Sequence, residues 1–137
     1  MKEFGCPSNA IITPHPGEAA MLLDCSVEEL QKNRLEAAKE LYKRYNCLII
    51  LKGYQTIVFD GEAYQCTDGG PALSTAGTGD VLAGLIGSFL AQGLSKIDAA
   101  RFSVAIHGAA GDKFSKNKGV RGLTATKLIK IINEEML

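Results

Sequence analysis

Apolar residues along this chain fall into short continuous runs and helical repeats. The runs at 10–13 and 47–51 are continuous and apolar, as is typical of strands covered on both faces. Between them, from 27 to 45, apolar positions recur at helical spacing behind Ser26 and Glu29, which match a helix-capping box. The pattern predicts a buried strand ending in a rigid turn at 14–17, one long amphipathic helix, and a parallel strand reached by a right-handed crossover.

The remainder predicts a hairpin and three helices. Two short apolar runs, 56–59 and 62–66, flank Asp60-Gly61, a pair that favours a two-residue hairpin turn. The segment 81–91 is apolar on nearly every side, which predicts a buried helix. A second long helix begins near Ser95, and a last one runs from about 124 toward 136. The second helix is expected to bury one face, formed by Ala99, Phe102, Ser103, Ile106, Ala110 and Phe114.

Composition and charge narrow the class of protein. The 137 residues suit a single α/β domain spanning 1–137, and 46% hydrophobic residues with zero net charge suit a soluble globular protein. A chain without a basic surplus is not expected to bind nucleic acid. The amino end lacks an apolar signal region, and no apolar run reaches the roughly 18 residues of a membrane span. We therefore expect a cytoplasmic protein.

The cysteines are scattered. None pairs as C-x-x-C and no histidine stands at zinc-finger spacing, so the sequence predicts no metal cluster. Buried or unreactive thiols are the favoured interpretation for these four residues, which are Cys6, Cys25, Cys47 and Cys66.

The first predicted strand begins almost at the start of the chain, whereas a doubly wound domain normally opens with several more strands. An apolar strand with an open edge is a liability that proteins cover. The sequence therefore favours, equally, two arrangements. In the first, the open edge is covered by a partner chain or by a missing amino-terminal half, or the edge itself is altered. In the second, the segment 1–9 covers the edge in a compact small domain.

The segment 75–80 is the best candidate for chemistry. Gly77 and Gly79 let the backbone approach a ligand closely, and Asp80 enters the first turn of the apolar helix. Unpaired backbone N–H groups at a helix start attract phosphate, and a carboxylate can accept a proton or hold a metal. This combination suits phosphoryl transfer. An ordinary helix cap explains the same residues equally well.

Two further strand ends carry polar residues. Lys52 follows the strand at 47–51 and could neutralise phosphate charge, although a tight turn explains the same segment. His15 lies between two prolines, so it is as good a ligand candidate as a packed residue. If both ends share a rim of the sheet with 77–80, they form one cleft. His107 is expected to be structural; weaker candidates are Glu18, Asp68 and Asp112.

Four ordered motifs resemble one family. Thr-Pro-His-Pro-Gly-Glu at 13–18, Leu-Lys-Gly-x-x-Thr at 51–56, Thr-Ala-Gly-Thr-Gly-Asp-Val-Leu-Ala-Gly at 75–84 and His-Gly-x-Ala-Gly-Asp at 107–112 resemble the ADP/ATP-dependent NAD(P)H-hydrate dehydratases. The resemblance implies a three-layer ribokinase-like fold with a mainly parallel sheet and a β-hairpin. Because members usually carry a substantial amino-terminal half, the chain resembles only the carboxyl-terminal half.

The resemblance also implies roles for particular residues. Asp80 would be the catalytic base, and it would contact the hydrated nicotinamide together with His15. ADP or ATP would be the phosphoryl donor, with Mg²⁺ accompanying it. A homo-oligomer, or association with an amino-terminal half, would complete the protein. The residues expected at the nucleotide are Lys52, Gly53, Tyr54, Gln55, Thr56, Gly77, Thr78 and Gly79.

Two alternatives stay open. Related kinases of the same fold share the glycine motif but typically lack the run at 13–18, so a kinase for another small alcohol is the first alternative. A nucleotide-binding half-domain without catalysis is the second.

Overall fold

A computed structural model describes residues 5–137 of the chain. The contacts divide it into two compact units, the first ending at Gln65 and the second spanning Cys66–Leu137. The single domain expected from the sequence stays a prediction. No helix within residues 5–137 is long and apolar enough to cross a membrane.

The first unit contains a four-stranded sheet and three helices, and the sheet has the order β1-β2-β3-β4. β1 is parallel to β2, while β2–β3 and β3–β4 are antiparallel. In chain order the elements are β1 (Ile11–Ile12), α1 (Pro16–Leu23), α2 (Val27–Lys32), α3 (Arg34–Tyr45), β2 (Leu48–Leu51), β3 (Ile57–Phe59) and β4 (Ala63–Gln65).

The sheet is mixed, which corrects the prediction of a mainly parallel one. The parallel β1–β2 pair and the hairpin around Asp60-Gly61 are as predicted. However, the segment 52–56 between β2 and β3 is much shorter than the dozen or so residues that a parallel crossover requires. β3 therefore returns antiparallel to β2, and only one of the three strand pairings is parallel.

Two local predictions in the first unit are wrong at helix boundaries. The helix expected over 27–45 is broken at Asn33 (φ −146°, ψ 76°), which ends α2 and caps α3 by accepting from the Glu36 amide. Asparagine is among the best N-cap residues, so it can start a new helix inside a helical pattern. The segment at 14–17 is likewise more than a turn, because Pro16 is the first residue of α1, a position that proline favours.

The core of the first unit lies between the sheet and the helices. Leu41 of α3 packs with Ile49, Leu51 and Phe59, all at most 7% exposed. Neighbouring strand residues point to the other face of the sheet, as the two-residue period requires, and Ile50 there is fully buried as well. Both faces of β2 are therefore covered, as the continuous apolar run predicts.

The second unit is helical. Its core is formed by apolar residues of α5, α6 and the segments beside them: Ala72, Ala110, Phe114, Leu123, Leu128 and Ile132. In chain order the elements are a 3₁₀ turn at Pro71–Leu73, α4 (Thr78–Ala91), α5 (Lys96–Lys118), α6 (Ala125–Ile131) and a π-helical turn at Ile132–Met136.

The burial of α4 and α5 differs from the prediction. α4 buries only Thr78, Leu82 and Ile86, and Leu90 is 38% exposed. On α5, Phe102 was expected in the core but is 54% exposed. Apolar composition identifies helices that can be buried, but it does not determine which side a neighbour covers.

Glycines let α5 pack closely against the loop at 68–73. A Cβ on Gly108 would lie 2.8 Å from the carbonyl oxygen of Asp68, and a Cβ on Gly111 would lie 2.6 Å from Cγ of Leu73. Both glycines are buried. Their place in the motif at 107–112 thus has a packing explanation.

Substitution of Gly108 tests this packing. We expect Gly108→Ala to lower the free energy of unfolding by about 1–3 kcal/mol, because the new methyl group would meet backbone that has to shift. Gly87→Ala is the matched control, since a Cβ there meets nothing within 4 Å and should stabilise the helix by up to about 1 kcal/mol. Urea unfolding measures both, and equal stabilities would contradict the close packing.

Candidate functional site

The start of α4 is built by glycine and threonine. Gly77 caps the helix in a left-handed conformation (φ 87°), with no side chain accepting from the first turn. The Thr78 hydroxyl is directed at two backbone carbonyls, 2.6 Å from that of Leu73 and 2.8 Å from that of Thr75. Thr78 is 5% exposed, so the side chain that hydrogen-bonds the residues before α4 is buried.

This arrangement leaves backbone donors open at the helix start. The amide of Thr78 donates to Thr75 and that of Val81 to Gly77. Within residues 5–137, the amides of Gly79 and Asp80 donate to no acceptor, and the Asp80 side chain is exposed beside them. Two open N–H groups at the positive end of a 14-residue helix suit an anion, and the carboxylate beside them suits proton transfer.

His107 supports the same turn from α5. Its Nε2 lies 2.8 Å from the carbonyl oxygen of Thr78. A carbonyl oxygen only accepts, so Nε2 carries the hydrogen of this bond. The contact fits the structural role expected for His107, since it fixes the first residue of α4.

A groove extends from this helix start along α4 and α6. Its volume is about 470 Å³. Gly77 and Asp80 line one end, and the walls are mostly apolar; the other lining residues include Val81, Leu85, Ala125, Ile129, Ile132 and Leu137. A Cβ on Gly77 would lie 3.1 Å from Cβ of Ala125, so this end is narrow as well as polar. The second unit therefore has two open backbone donors at one end of a mostly apolar groove.

In the first unit, His15 is the N-cap of α1. Its Nδ1 accepts from the Glu18 amide at 3.2 Å, while its own amide donates to the Glu18 carboxylate at 2.8 Å. Because Nδ1 accepts, the ring hydrogen lies on Nε2, which faces the other Glu18 oxygen at 3.5 Å. The imidazole is 56% exposed. His15 is thus oriented by a capping box and open to a ligand.

The loop after β2 is joined to the segment that carries His15. The Lys52 amide donates to the Pro14 carbonyl at 2.9 Å, which continues the pairing of β1 with β2 beyond the strands. The Thr56 hydroxyl donates to the Gly53 carbonyl at 3.1 Å and closes the loop. These two bonds bring the motifs at 13–18 and 51–56 to the same end of the β1–β2 pair.

Arg34 is a positioning residue that the sequence reasoning missed. Its Nη2 donates to the carbonyls of Leu51 (3.1 Å) and Lys52 (3.2 Å), and its Nη1 donates to Gln31 at 2.9 Å. Burial lowers the pKa of the guanidinium from its ordinary value. A cation in the first turn of a helix opposes the helix dipole, and that local conflict was the available signal of a tertiary role.

The rest of the loop has unusual backbone. Gly53 has φ 133°, a conformation that side chains rarely adopt, and a Cβ there would lie 2.9 Å from Nη1 of Arg34, which would have to shift. Gln55 is left-handed (φ 55°), a conformation that few non-glycine residues adopt, and its side chain accepts from Gln65 at 3.0 Å. Tyr54 is 75% exposed. The loop therefore presents backbone and an aromatic ring to solvent.

The predicted site residues fall into two groups. His15 and the loop 52–56 lie in the first unit, and Gly77–Asp80 lie in the second. One cleft that contains both groups stays a prediction, and so do the functional roles of these residues. Of the weaker acidic candidates, Glu18 caps α1, and Asp68 accepts from the Cys66 thiol through its backbone carbonyl at 3.6 Å. Burial raises the pKa of that thiol; the hydrogen bond to the Asp68 carbonyl opposes the rise, and the charges of Asp68 and Asp112 add to it.

Comparison with known proteins identifies the family. The sequence profile described as NAD(P)H-hydrate dehydratase, of the carbohydrate-kinase type, matches residues 3–134. The chain belongs to this family. The resemblance seen in the four motifs is therefore confirmed.

Individual relatives and solved structures support the same family assignment. The chain is 46% identical to the bifunctional NAD(P)H-hydrate repair enzyme Nnr of Escherichia coli, with 93% of the chain and 26% of that protein covered. It is 42% identical to the ADP-dependent (S)-NAD(P)H-hydrate dehydratase of Neisseria meningitidis, and the match covers 90% of the chain and 43% of that protein. The structure superposes with a TM-score of 0.87 on the Bacillus subtilis ADP/ATP-dependent NAD(P)H-hydrate dehydratase, which was co-crystallised with ATP/Mg²⁺. The two sequences are 35% identical, and the match covers 91% of the chain and 46% of that protein.

These matches confirm the ribokinase-like α/β fold. A ribokinase-like superfamily protein of Enterococcus faecalis superposes with a TM-score of 0.84 at 30% identity, with 98% of the chain and 47% of that protein covered. The chain spans about a quarter of the bifunctional dehydratase relatives and less than half of the shorter ones. It corresponds to their carboxyl-terminal part.

The positioning role of Arg34 can be tested in the isolated chain. We expect Arg34→Met to lower the free energy of unfolding by about 1–3 kcal/mol, because two carbonyls lose a charged donor. Hydrogen exchange at 52–56 should rise by more than exchange in β3. Arg44→Met is the control, since this exposed arginine of the same helix pairs with Glu40. Unchanged exchange at 52–56 in Arg34→Met would contradict the role.

Proposed function

We propose that this chain provides the phosphoryl-transfer part of an ADP- or ATP-dependent dehydratase that repairs hydrated NADH and NADPH. The observation that carries the proposal is the start of α4, where two open amides and the exposed Asp80 carboxylate stand at the mouth of a groove. Family membership supplies the reaction class. The activities of the Neisseria and Bacillus proteins support the substrate and the donor.

In the proposal the loop at 52–56 borders the nucleotide. Lys52 supplies positive charge, and Arg34 holds the carbonyls of Leu51 and Lys52 so that the amides of the loop keep a fixed direction. The exposed Tyr54 ring offers a flat apolar surface suited to stacking on a heterocyclic base. His15, with its ring oriented by Glu18, contacts the hydrated nicotinamide.

The reaction then runs in two steps. Asp80 accepts the proton of the substrate hydroxyl as that oxygen attacks the terminal phosphorus, and the bond from phosphorus to the nucleotide breaks. The amides of Gly79 and Asp80 stabilise the charge on the transferred group, with Gly77 and Thr78 fixing their direction. Phosphate next leaves from the ring carbon with the electrons of the C–O bond, the adjacent carbon loses a proton to water, and the C–H electron pair forms the double bond of the dihydronicotinamide.

Magnesium fits this site only as part of a nucleotide complex. Within residues 5–137 no three His, Cys, Asp or Glu side chains are grouped to hold a metal. Mg²⁺ commonly binds through one or two carboxylates together with phosphate oxygens and water. In this site the phosphate oxygens and water would hold the ion, which would neutralise phosphate charge, while Asp80 accepts the proton of the substrate hydroxyl.

Substitution of Asp80 tests the base. We expect Asp80→Asn to lower the rate of nucleotide-dependent NADH recovery by roughly 10²- to 10⁴-fold in the complete dehydratase, because the hydroxyl proton loses its acceptor. Nucleotide affinity should stay within about threefold, because the backbone amides remain. Absorbance of reduced nicotinamide and calorimetric titration with ADP or ATP measure the two quantities.

A matched control exists on the next helix. Asp98 occupies the same position in α5 as Asp80 does in α4, and it takes part in an ordinary cap with Ser95. Asp98→Asn should leave the rate unchanged. Recovery that survives Asp80→Asn would remove Asp80 from its role. A stable phosphorylated alcohol as product would indicate a kinase, and nucleotide binding with neither product would indicate a non-catalytic half-domain.

The proposal includes a structural partner for α4. This helix is apolar on nearly every side, yet Leu90, Ala83, Gly87 and other residues of one side are exposed. β1 also lies at an edge of the sheet formed by the described strands. We assign these surfaces to the remaining part of a dehydratase domain, in the same polypeptide or in another one; a second copy of the chain is the alternative.

The proposal places the reaction in the cytoplasm.

Complementation tests this partner. We expect the chain alone to bind nucleotide without dehydrating the substrate, and to form a one-to-one complex with a separately produced amino-terminal half of the Neisseria dehydratase domain that restores activity. Leu90→Arg should prevent the complex, because it places a charge on the exposed apolar side of α4. Met21→Arg, at an exposed apolar position of α1, is the control. A monomer that is active alone would contradict the assignment.

A further inference from the structure

Two of the four cysteines are neighbours in space although 41 positions separate them in the sequence. Sγ of Cys6 lies 3.3 Å from Sγ of Cys47, and Cys25 and Cys66 are not part of this contact. All four residues are thiols and lie within the described part of the chain. A disulfide has a sulfur–sulfur bond of about 2.05 Å, so bond formation requires an approach of little more than about 1 Å.

The position of the pair in the fold explains why the sulfurs meet. Cys47 directly precedes β2, whose first residue, Leu48, pairs with Ile11 of β1. Before β1 the chain folds back through a turn in which the Ala10 amide donates to the Pro7 carbonyl at 2.9 Å. This turn brings Cys6 to the amino end of the parallel strand pair, beside Cys47.

The two thiols differ in access. Cys47 is 2% exposed, whereas Cys6 is half-buried and can meet a small oxidant. An accessible thiol next to a buried one is the arrangement in which the first is oxidised and the second resolves the product.

We propose that Cys6 and Cys47 form a reversible intramolecular disulfide when the protein meets a peroxide. The Cys6 thiolate attacks one peroxide oxygen, the O–O bond breaks, and a sulfenic acid forms on Cys6. The Cys47 sulfur then attacks the Cys6 sulfur, the S–S bond forms, the S–O bond breaks, and the leaving hydroxide takes up the Cys47 proton as water. In total two thiols are oxidised, and one hydrogen peroxide is reduced to two waters.

The disulfide would tie the amino ends of the two strands whose carboxyl ends lead to His15 and Lys52. It closes a loop of about 40 residues, so it restricts the unfolded chain strongly. The inference does not rest on the proposed function, because it concerns bond formation in the first unit alone.

Treatment of the chain with a small excess of hydrogen peroxide tests the proposal. We expect the titratable thiols to fall from four to two, the mass to fall by about 2 Da, and non-reducing peptide mapping to join the peptides of Cys6 and Cys47. The melting temperature should rise by roughly 5–10 °C, and dithiothreitol should reverse every change.

Variants separate this pair from unspecific oxidation. Cys6→Ser should abolish the mass loss and the rise in melting temperature, and Cys25→Ser, at another half-buried thiol, should keep both. Cys6 is the residue to replace because the buried Cys47 contributes to the core. Oxidation of Cys6 to sulfinic acid without a link to Cys47, a link between different chains, or an unchanged response in Cys6→Ser would each overturn the proposal.

Discussion

The parallel pairing of β1 with β2 is the constraint on which the first unit depends. The register aligns Ile11 with Leu48, and the Lys52–Pro14 hydrogen bond extends the pairing by one more step past the strands. The two loops that carry His15 and Lys52 therefore begin at the same level of the sheet. A slip by one residue would turn Ile49 and Leu51, which pack with Leu41 of α3, to the opposite face of the sheet.

In the second unit, side chains hold the start of α4 in place. Helix starts normally satisfy their orphan amides with a capping side chain, and α4 lacks one. Thr78 instead turns its hydroxyl away from the helix amides toward the carbonyls of Leu73 and Thr75, while His107 holds the Thr78 carbonyl. The turn is thus held by three side-chain hydrogen bonds to backbone carbonyls, while the amides of Gly79 and Asp80 stay open.

The sequence predicted most of the elements because their signals are local. Continuous apolar runs identified β1 and β2, and Asp60-Gly61 identified the hairpin. The break at Asn33 was missed because helical periodicity continues across it, and only the cap geometry shows the new start. The share of parallel pairings in the sheet was predicted wrongly, because strand direction depends on connection length more than on strand composition.

The candidate site was predictable where it lies in motifs and unpredictable where it depends on tertiary contacts. The residues 77–80 and 52–56 follow from glycine patterns and from the family resemblance. Arg34 could not be found in this way, because its contacts lie 17 and 18 positions away in the sequence. The exposed side of α4 was equally hidden, since burial depends on what packs against a helix and not on its composition.

The open amides of Gly79 and Asp80 have a consequence for selectivity. Backbone donors recognise negative charge and the position of an oxygen, and they are indifferent to the base and to the number of phosphates behind it. A nucleoside diphosphate and a triphosphate would present similar terminal oxygens to them. In the proposed reaction, discrimination between donors therefore falls to groups more distant from the transferred phosphate, and these can change during evolution without disturbing the helix start.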